Sequence, residues 1–122
     1  MPLIAVVDDE ESVRRALSRM LHACQFEVVA FGSGQEFLDF VVGRKPDCVV
    51  LDFQMPGLTG RDIQRQLAIA QIRIPIIIVT AHDQPAIREQ CLADGAVAYF
   101  AKPLQRDRLV ATIDAAIARR KA

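Results

Sequence analysis

The stretch LIAVVDDEESVRRALSRMLHAC, residues 3–24, contains two hydrophobic patterns in succession. Residues 3–7 are all apolar, which is typical of a strand buried on both faces of a parallel sheet. After Asp8 and Asp9 the apolar residues recur at the spacing of an amphipathic helix with one buried stripe. The members of this stripe are Val13, Ala16, Leu17, Met20, Leu21 and Cys24. The stretch therefore predicts a strand followed by a helix.

The same unit recurs along the rest of the chain. Short apolar segments lie at residues 3–7, 26–31, 48–51, 76–80 and 97–100. Further helices are predicted over 33–42, from near Thr59, from near Asp83 to Gly95, and over 106–120. Strand and helix alternate five times, which predicts an α/β fold, (βα)5, with an open, doubly wound, five-stranded parallel sheet. With 122 residues, the whole chain, 1–122, has the length of one domain.

The composition limits the classes of protein that this chain can belong to. Hydrophobic residues make up 52% of it and charged residues 25%, as in a globular domain. The longest apolar stretch, residues 74–79, is far shorter than the about 20 residues of a membrane-spanning helix, and the opening residues lack a signal-peptide pattern. We therefore expect a cytoplasmic protein with no membrane contact. Fifteen basic and fifteen acidic side chains cancel, so no direct nucleic-acid contact is expected.

The cysteines show no pattern of a metal site or a disulfide framework. Cys24, Cys48 and Cys91 are an odd number and form no CxxC pair. We expect them to be free thiols, since unpaired cysteines of this kind are commonly buried.

Polar side chains follow four of the five predicted strands. Asp8 and Asp9 follow the first, Asp52 ends the third, Thr80 ends the fourth and Lys102 follows the fifth. Ligand sites of such sheets lie beyond the carboxyl ends of the strands, so these side chains are expected at one edge. Each also has a simpler interpretation. Asp8 or Asp9 could cap the first helix, and Asp52 could begin a turn. Thr80 could be an ordinary strand residue and Lys102 a surface lysine.

Three carboxylates at one edge repel each other unless cations lie between them. Lys102 supplies one positive charge, and a divalent ion, Mg²⁺ or alternatively Mn²⁺, suits a carboxylate-rich oxygen site. A carboxylate beside a metal, a lysine and a hydroxyl is equipped to attack a phosphoryl group. Because Asp52 lies centrally, it is the predicted nucleophile, and the product would be an acyl phosphate.

These residues resemble the receiver (response regulatory, CheY-like) domain of bacterial two-component response regulators. The resemblance covers essentially the whole chain and rests on Asp8-Asp9, Asp52 with MPG at 55–57, Thr80-Ala81 and Lys102-Pro103. The segments DDEESVRRAL, LDFQMPGLTG and VTAHD are most similar to receivers of FixJ-type transcription factors. The fold that this implies is flavodoxin-like, with the strand order 2-1-3-4-5.

The resemblance assigns a role to each acidic residue. It implies that Asp52 is the phospho-acceptor, and that Asp9, Asp52 and the backbone carbonyl of Gln54 bind Mg²⁺ directly. Asp8 would act mainly through a water molecule bound to the ion.

The resemblance also implies roles for the residues around the acids. Lys102 would pair with the phosphoryl group, and the Lys102-Pro103 peptide bond would be cis. Thr80 and Tyr99 match a switch pair, in which the hydroxyl moves toward the phosphate and the ring turns inward; the alternative for Tyr99 is ordinary packing in its strand. Gln54 and His82 would tune dephosphorylation, while an exposed loop histidine is the simpler interpretation of His82.

The function implied is a phosphorelay switch that accepts phosphate from a sensor histidine kinase or a phosphotransfer protein. Its first helix would be the kinase-docking element, its fourth-helix to fifth-helix face would carry the signal, and homodimerisation on phosphorylation would fit a transcription regulator. No turnover of an external substrate is expected. The alternatives are a hydrolase with an aspartyl-phosphate intermediate, although Gln54 stands where such enzymes need a second acid, and a degenerate receiver that only binds partners.

Overall fold

The computed structural model describes residues 1–121, in which strands and helices alternate five times. This confirms the predicted (βα)5 pattern. The elements are β1 (Leu3–Val7), α1 (Glu11–Ala23), β2 (Glu27–Phe31), α2 (Gly34–Val41), β3 (Cys48–Asp52), α3 (Gly60–Ile69), β4 (Ile76–Thr80), α4 (Pro85–Ala93), β5 (Ala98–Ala101) and α5 (Arg106–Lys121).

The five strands form one parallel sheet in the order β2-β1-β3-β4-β5. This is the flavodoxin-like order that the family resemblance implies. From β1 the chain first adds β2 on one side and then crosses to β3 on the other, so the winding direction reverses between β1 and β3. A crevice opens at the carboxyl ends of the strands at such a point.

Helices cover both faces of the sheet, which explains why its central strands are apolar throughout. On one face α2, α3 and α4 contribute Phe37, Ile63 and Cys91 to a core that includes alternate strand residues such as Leu51. On the other face α1 and α5 contribute residues such as Leu21, Leu109 and Ile113, together with the intervening strand residues. Because β1, β3 and β4 are buried along their whole length, the strand ends are held rigidly.

Predicted strand boundaries are wrong by at most one residue. The second strand begins at Glu27, the third extends to Asp52, and the fifth is shifted to Ala98–Ala101. The expected helix starts hold at Ser33 and Thr59, whose side chains accept hydrogen bonds from backbone amides of α2 and α3. The fourth helix begins at Pro85, two residues after the expected start, because proline suits the first helical turn.

One member of the predicted stripe on α1 is exposed, and three, Val13, Met20 and Cys24, are only partly buried. Leu17 and Leu21 face the sheet as expected, but Ala16 is exposed. It lines an open hollow of about 500 Å³ beside α1, because α1 meets the sheet along a narrower strip than its apolar pattern covers. We call this feature the α1 hollow; its lining residues are Val13, Ala16, Leu17, Met20, Lys102, Pro103 and Leu104.

Two further expectations concern the rest of the described chain. Among residues 1–121 no helix combines the length and the apolar character needed to cross a lipid bilayer. The three cysteines are free thiols, with Cys48 and Cys91 buried and Cys24 partly buried, as predicted.

Candidate functional site

An acidic cluster lies at the carboxyl ends of β1 and β3, the two strands between which the winding reverses. Asp8 follows β1 and Asp52 is the last residue of β3, so the parallel pairing places both at the same edge. One carboxylate oxygen from each of Asp8, Asp9 and Asp52 lies within 4.8 Å of the others. Asp8 and Asp52 are only 1% and 5% exposed, whereas Asp9 is exposed. The structure thus brings the three predicted acids together.

Lys102 reaches into the acidic cluster from the loop after β5. Its Nζ lies 2.8 Å from Asp8 Oδ2 and 3.6 Å from Asp52 Oδ2. Its backbone amide donates to the Thr80 carbonyl at 2.8 Å, and the Lys102-Pro103 peptide is cis, as the resemblance implies. The side chain is 17% exposed, so the interpretation as a surface lysine is wrong. Burial lowers the pKa of Lys102, but the hydrogen bond to Asp8 and the charge of Asp52 outweigh it, and the net pKa is raised.

The pKa of Asp52 is raised to about 6. Burial is the main cause, and the negative charge of Asp8 adds to it. Lys102 and the Gln54 amide, which donates to Asp52 Oδ1 at 3.4 Å, lower the pKa without compensating fully. The ionised form of the Asp52 carboxyl group is therefore disfavoured, and an additional positive charge nearby would stabilise it.

The donor set of the acidic cluster fits a divalent cation. Three carboxylates face one ammonium group, which leaves two negative charges to be balanced. All the donors are oxygens, and the exposed position of Asp9 leaves room for water, as Mg²⁺ prefers. The residues that could hold such an ion are therefore Asp8, Asp9 and Asp52.

Thr80 ends β4, next to β3, and its side chain is fully buried. The backbone register pairs Asp52 on β3 with Val79 on β4. Thr80 therefore lies one residue further toward the carboxyl ends of the strands than Asp52. Its Oγ1 accepts a hydrogen bond at 3.0 Å from the amide of His82, an exposed residue. Thr80 is thus tied to residues 81–84, which we call the β4–α4 loop.

Tyr99 lies on β5 with its ring buried to 5% exposure. Its Oη accepts a hydrogen bond of 3.4 Å from the amide of Gln84 at the start of α4. The Cζ of Arg88 lies 5.8 Å from the ring centroid. Burial is the main cause that raises the pKa of the Tyr99 hydroxyl. Thr80 and Tyr99 therefore hold the β4–α4 loop from its two ends.

Sequence reasoning missed two arginines that support these residues. Arg14 on α1 donates to the backbone carbonyl of Asp8 at 2.8 Å, and Arg88 on α4 covers the Tyr99 ring. Arg14 lies in the segment DDEESVRRAL and Arg88 in none of the segments quoted above, but both fit their helical patterns, and the patterns alone do not indicate either contact.

A hollow larger than the α1 hollow lies elsewhere. It measures about 830 Å³ and is lined at the amino ends of the strands by residues such as Ile74, Pro75 and Val97. None of the predicted site residues line it. The candidate site is therefore identified by its cluster of carboxylates with Lys102 and not by the volume of a cavity.

Comparison with known proteins agrees with this arrangement. A family model described as the response regulator receiver domain matches residues 4–114. Nodulation protein W of Bradyrhizobium diazoefficiens is 38% identical over 117 residues, covering 96% of this chain and 52% of that protein. The transcriptional regulatory protein FixJ of the same bacterium is 37% identical over 114 residues, covering 93% of this chain and 56% of that protein. The chain thus spans about half the length of these curated relatives.

A solved structure extends the comparison to the whole fold. The crystal structure of a response regulator receiver domain protein from Clostridium thermocellum superposes with a TM-score of 0.93 at 29% sequence identity. The superposition covers 99% of this chain and 98% of that one. The likeness therefore extends over the full five-stranded sheet and its helices.

Proposed function

This chain belongs to the response regulator receiver family, and from that premise we propose that it is a phosphorylation-dependent switch of a two-component phosphorelay. Receivers are signalling modules that work with sensor histidine kinases. The observation that carries the proposal is the acidic cluster with Lys102 2.8 Å from Asp8 and 3.6 Å from Asp52. Asp52 is the proposed phospho-acceptor, because it is the acid that both lies centrally and contacts the lysine.

The reaction is a transfer between a phosphohistidine and Asp52. The Asp52 carboxylate oxygen attacks phosphorus, the P–N bond breaks, and the imidazole retains the bonding electrons. Lys102 neutralises the charge on the phosphoryl oxygens, and the Thr80 hydroxyl donates to one of them. In dephosphorylation a water attacks phosphorus and the acyl P–O bond breaks; the bonding electrons return to the Asp52 carboxylate, and the water oxygen leaves in inorganic phosphate, with its proton on the phosphate or released to solvent.

Mg²⁺, or alternatively Mn²⁺, is the proposed cofactor. Asp9, Asp52 and the Gln54 backbone carbonyl would hold it, with Asp8 acting through a water of the ion. When bound, it supplies the positive charge that two uncompensated carboxylates and an incoming phosphoryl group require. The raised pKa of Asp52 supports this assignment, since burial and the charge of Asp8 disfavour the ionised acid and a bound cation would stabilise it.

Thr80 and Tyr99 are the proposed switch pair. The Thr80 hydroxyl accepts a 3.0 Å hydrogen bond from the His82 amide, and a turn of the side chain toward a phosphoryl group would carry its oxygen away from that amide. That movement would weaken the contact between Thr80 and the β4–α4 loop. The other end of the loop is bonded to Tyr99 through the Gln84 amide. The signal would leave through the surface formed by α4, β5 and α5.

Gln54 and His82 are proposed to tune the lifetime of the phosphorylated state. Both side chains are exposed, and each lies two residues beyond a residue of the site, Asp52 and Thr80 respectively. A water approaching the phosphoryl group from solvent would pass between them. The proposal includes no turnover of an external substrate.

The proposed partner is a sensor histidine kinase or a phosphotransfer protein, which would dock on α1. The α1 hollow supports this, because it is largely apolar and includes Lys102 of the site among its lining residues. A helix that filled this hollow would bring its histidine close to Asp52.

The proposed output is regulation of transcription through a further part of a longer protein. Its support is that FixJ, a transcriptional regulatory protein by name, is matched over 56% of its length. Phosphorylation would promote homodimerisation, and this domain would not itself contact nucleic acid.

The test is phosphorylation with a small donor. Acetyl phosphate with MgCl₂ should add one phosphoryl group, about 80 Da by intact-mass spectrometry, to the wild-type chain. The adduct should be absent in Asp52→Asn and present in the control Asp39→Asn, an exposed acid on α2 that accepts from Gln35.

Each alternative function predicts a different outcome. A chain that forms no adduct would be a degenerate receiver acting as a binding module. Repeated turnover of p-nitrophenyl phosphate by the wild type that is lost in Asp52→Asn would favour the hydrolase with an aspartyl-phosphate intermediate.

A further inference from the structure

The ring of Tyr99 is attached to the first turn of α4 by two separate contacts. The Gln84 amide, which precedes α4, donates to its hydroxyl at 3.4 Å. One turn later, the Arg88 guanidinium lies over the ring with Cζ 5.8 Å from the centroid. The hydrogen bond to the Tyr99 hydroxyl is long and therefore weak. The contact with Arg88 thus contributes a larger share of the attachment between the ring and α4.

Arg88 is free to act on the ring. Its side chain is exposed, and no carboxylate within residues 1–120 lies at ion-pair distance from it. The ring itself belongs to the apolar core with Cys91 and Ala96. A cation over the outer face of an aromatic ring attracts the ring quadrupole and also shields that face from water.

We propose that Arg88 is a positioning residue for Tyr99: its guanidinium stabilises the buried position of the ring and thereby fixes the start of α4. An exposed cation of this kind favours the stacked position by about two- to five-fold. The consequence for signalling rests on the proposed function. If Tyr99 is held in place by Arg88, the switch depends chiefly on the change of partner at Thr80.

The chain contains a matched control for this contact. Arg108 on α5 lies over Phe100 with Cζ 5.6 Å from the ring centroid. Phe100 follows Tyr99 on β5 and belongs to the core on the opposite face of the sheet. Arg108→Met therefore removes the same charge and the same kind of contact from the same strand without touching Tyr99.

The experiment uses the fluorescence of the chain itself. Tyr99 is the only tyrosine and the chain has no tryptophan, so tyrosine emission reports this ring alone. Acrylamide is a neutral quencher, so the loss of a positive charge does not by itself change its approach. Because the quencher reaches the ring mainly in its exposed position, the quenching rate constant rises with the population of that position.

We expect the quenching constant of Arg88→Met to exceed that of the wild type by about two- to five-fold. Arg88→Lys, which keeps a cation, should stay near the wild type, and so should Arg108→Met. Since Arg88 is exposed, these variants should retain the wild-type circular dichroism spectrum. An unchanged constant in Arg88→Met overturns the proposal, and so does an equal rise in Arg88→Lys or Arg108→Met.

The same variants separate this inference from the proposed function. Arg88 does not contact the acidic cluster, so acetyl phosphate should modify Arg88→Met at the wild-type rate. If no variant forms an adduct, the proposed function fails, while the quenching constants measured without a phosphodonor still decide the role of Arg88.

Discussion

Replacing Asp52 with asparagine should make the protein more stable at neutral pH, although the side chain is almost fully buried. Burial and the negative charge of Asp8 raise the pKa of Asp52 to about 6 from its ordinary value of 3.8. Ionisation of Asp52 is therefore less favourable in the folded protein than in the unfolded chain. Asparagine has nearly the same shape, keeps an acceptor for the Gln54 amide, and carries no charge.

The size and sign of the effect follow from linkage between protonation and folding. The difference between about 6 and 3.8 corresponds to about 3 kcal/mol of unfavourable free energy once Asp52 is ionised. Below pH 3.8 the carboxyl is protonated in both states and this contribution vanishes. Between pH 3.8 and about 6 the wild type loses stability relative to Asp52→Asn, and above about pH 6 the difference is constant.

The assay is urea unfolding of wild type and Asp52→Asn at intervals from pH 3.5 to pH 8, with EDTA present. We expect equal free energies of unfolding at the acid end and an advantage of about 2–3 kcal/mol for the variant at pH 7. Saturating Mg²⁺ should reduce this advantage, because the ion binds the wild type more tightly. A difference that does not change with pH, or a variant that is less stable at pH 7, would refute the reasoning.

Asp62→Asn provides a control of opposite sign. Hydrogen bonds from the Thr59 backbone and hydroxyl lower the pKa of Asp62. A lowered pKa stabilises the folded protein above the ordinary value and loses that contribution as the pH falls. The Asp62→Asn variant should therefore be less stable than wild type at neutral pH and approach it in acid, the reverse of Asp52→Asn.

Three further outcomes are expected. Lys102→Met should raise the pKa of Asp52 above about 6, because it removes the cation that lowers this pKa, and NMR titration of the carboxyl carbon would measure the change. Asp9→Asn should leave the melting temperature without metal close to the wild-type value, since Asp9 is exposed, but should weaken Mg²⁺ binding in calorimetry about ten-fold or more. Thr80→Ala should still accept phosphate from acetyl phosphate, but any change in Tyr99 emission that phosphorylation causes in the wild type should be absent from the variant; the same change in both proteins would contradict the role of Thr80.

The sequence predicted the fold well because the three central strands, β1, β3 and β4, are marked by burial on both faces. Unbroken runs such as Leu3–Val7 and Ile76–Thr80 distinguish buried parallel strands from the helices, whose apolar residues recur with a different period. The boundaries shifted by one residue where the apolar run and the ladder of hydrogen bonds end at different places, as at Val97 and Ala98. Ala16 was assigned to the buried stripe because periodicity gives the direction of a residue but not the width of the contact.

The site was predictable to the extent that parallel strands end at a common edge. That rule alone brings Asp8 and Asp52 together, and the position of Lys102 after β5 adds the cation. The contacts of the β4–α4 loop were not predictable, because which amide bonds to Thr80 or Tyr99 depends on loop torsions that no sequence period encodes.

The acids of the site are held by buried strands, whereas the β4–α4 loop is held by a few weak contacts. This difference indicates that a signal from the site would pass through the loop. Asp8 directly follows β1 and Asp52 ends β3, and both strands are buried along their length, so neither acid can shift without disturbing the sheet. The β4–α4 loop instead is exposed along its length, and its contacts with the site are single hydrogen bonds at His82 and Gln84. Such bonds contribute only about 0.5–1.5 kcal/mol each, whereas a phosphoryl group offers Thr80 a charge-assisted bond of about twice that strength. A phosphoryl group that drew the Thr80 side chain toward Asp52 would therefore disturb the loop contacts before it disturbed the sheet.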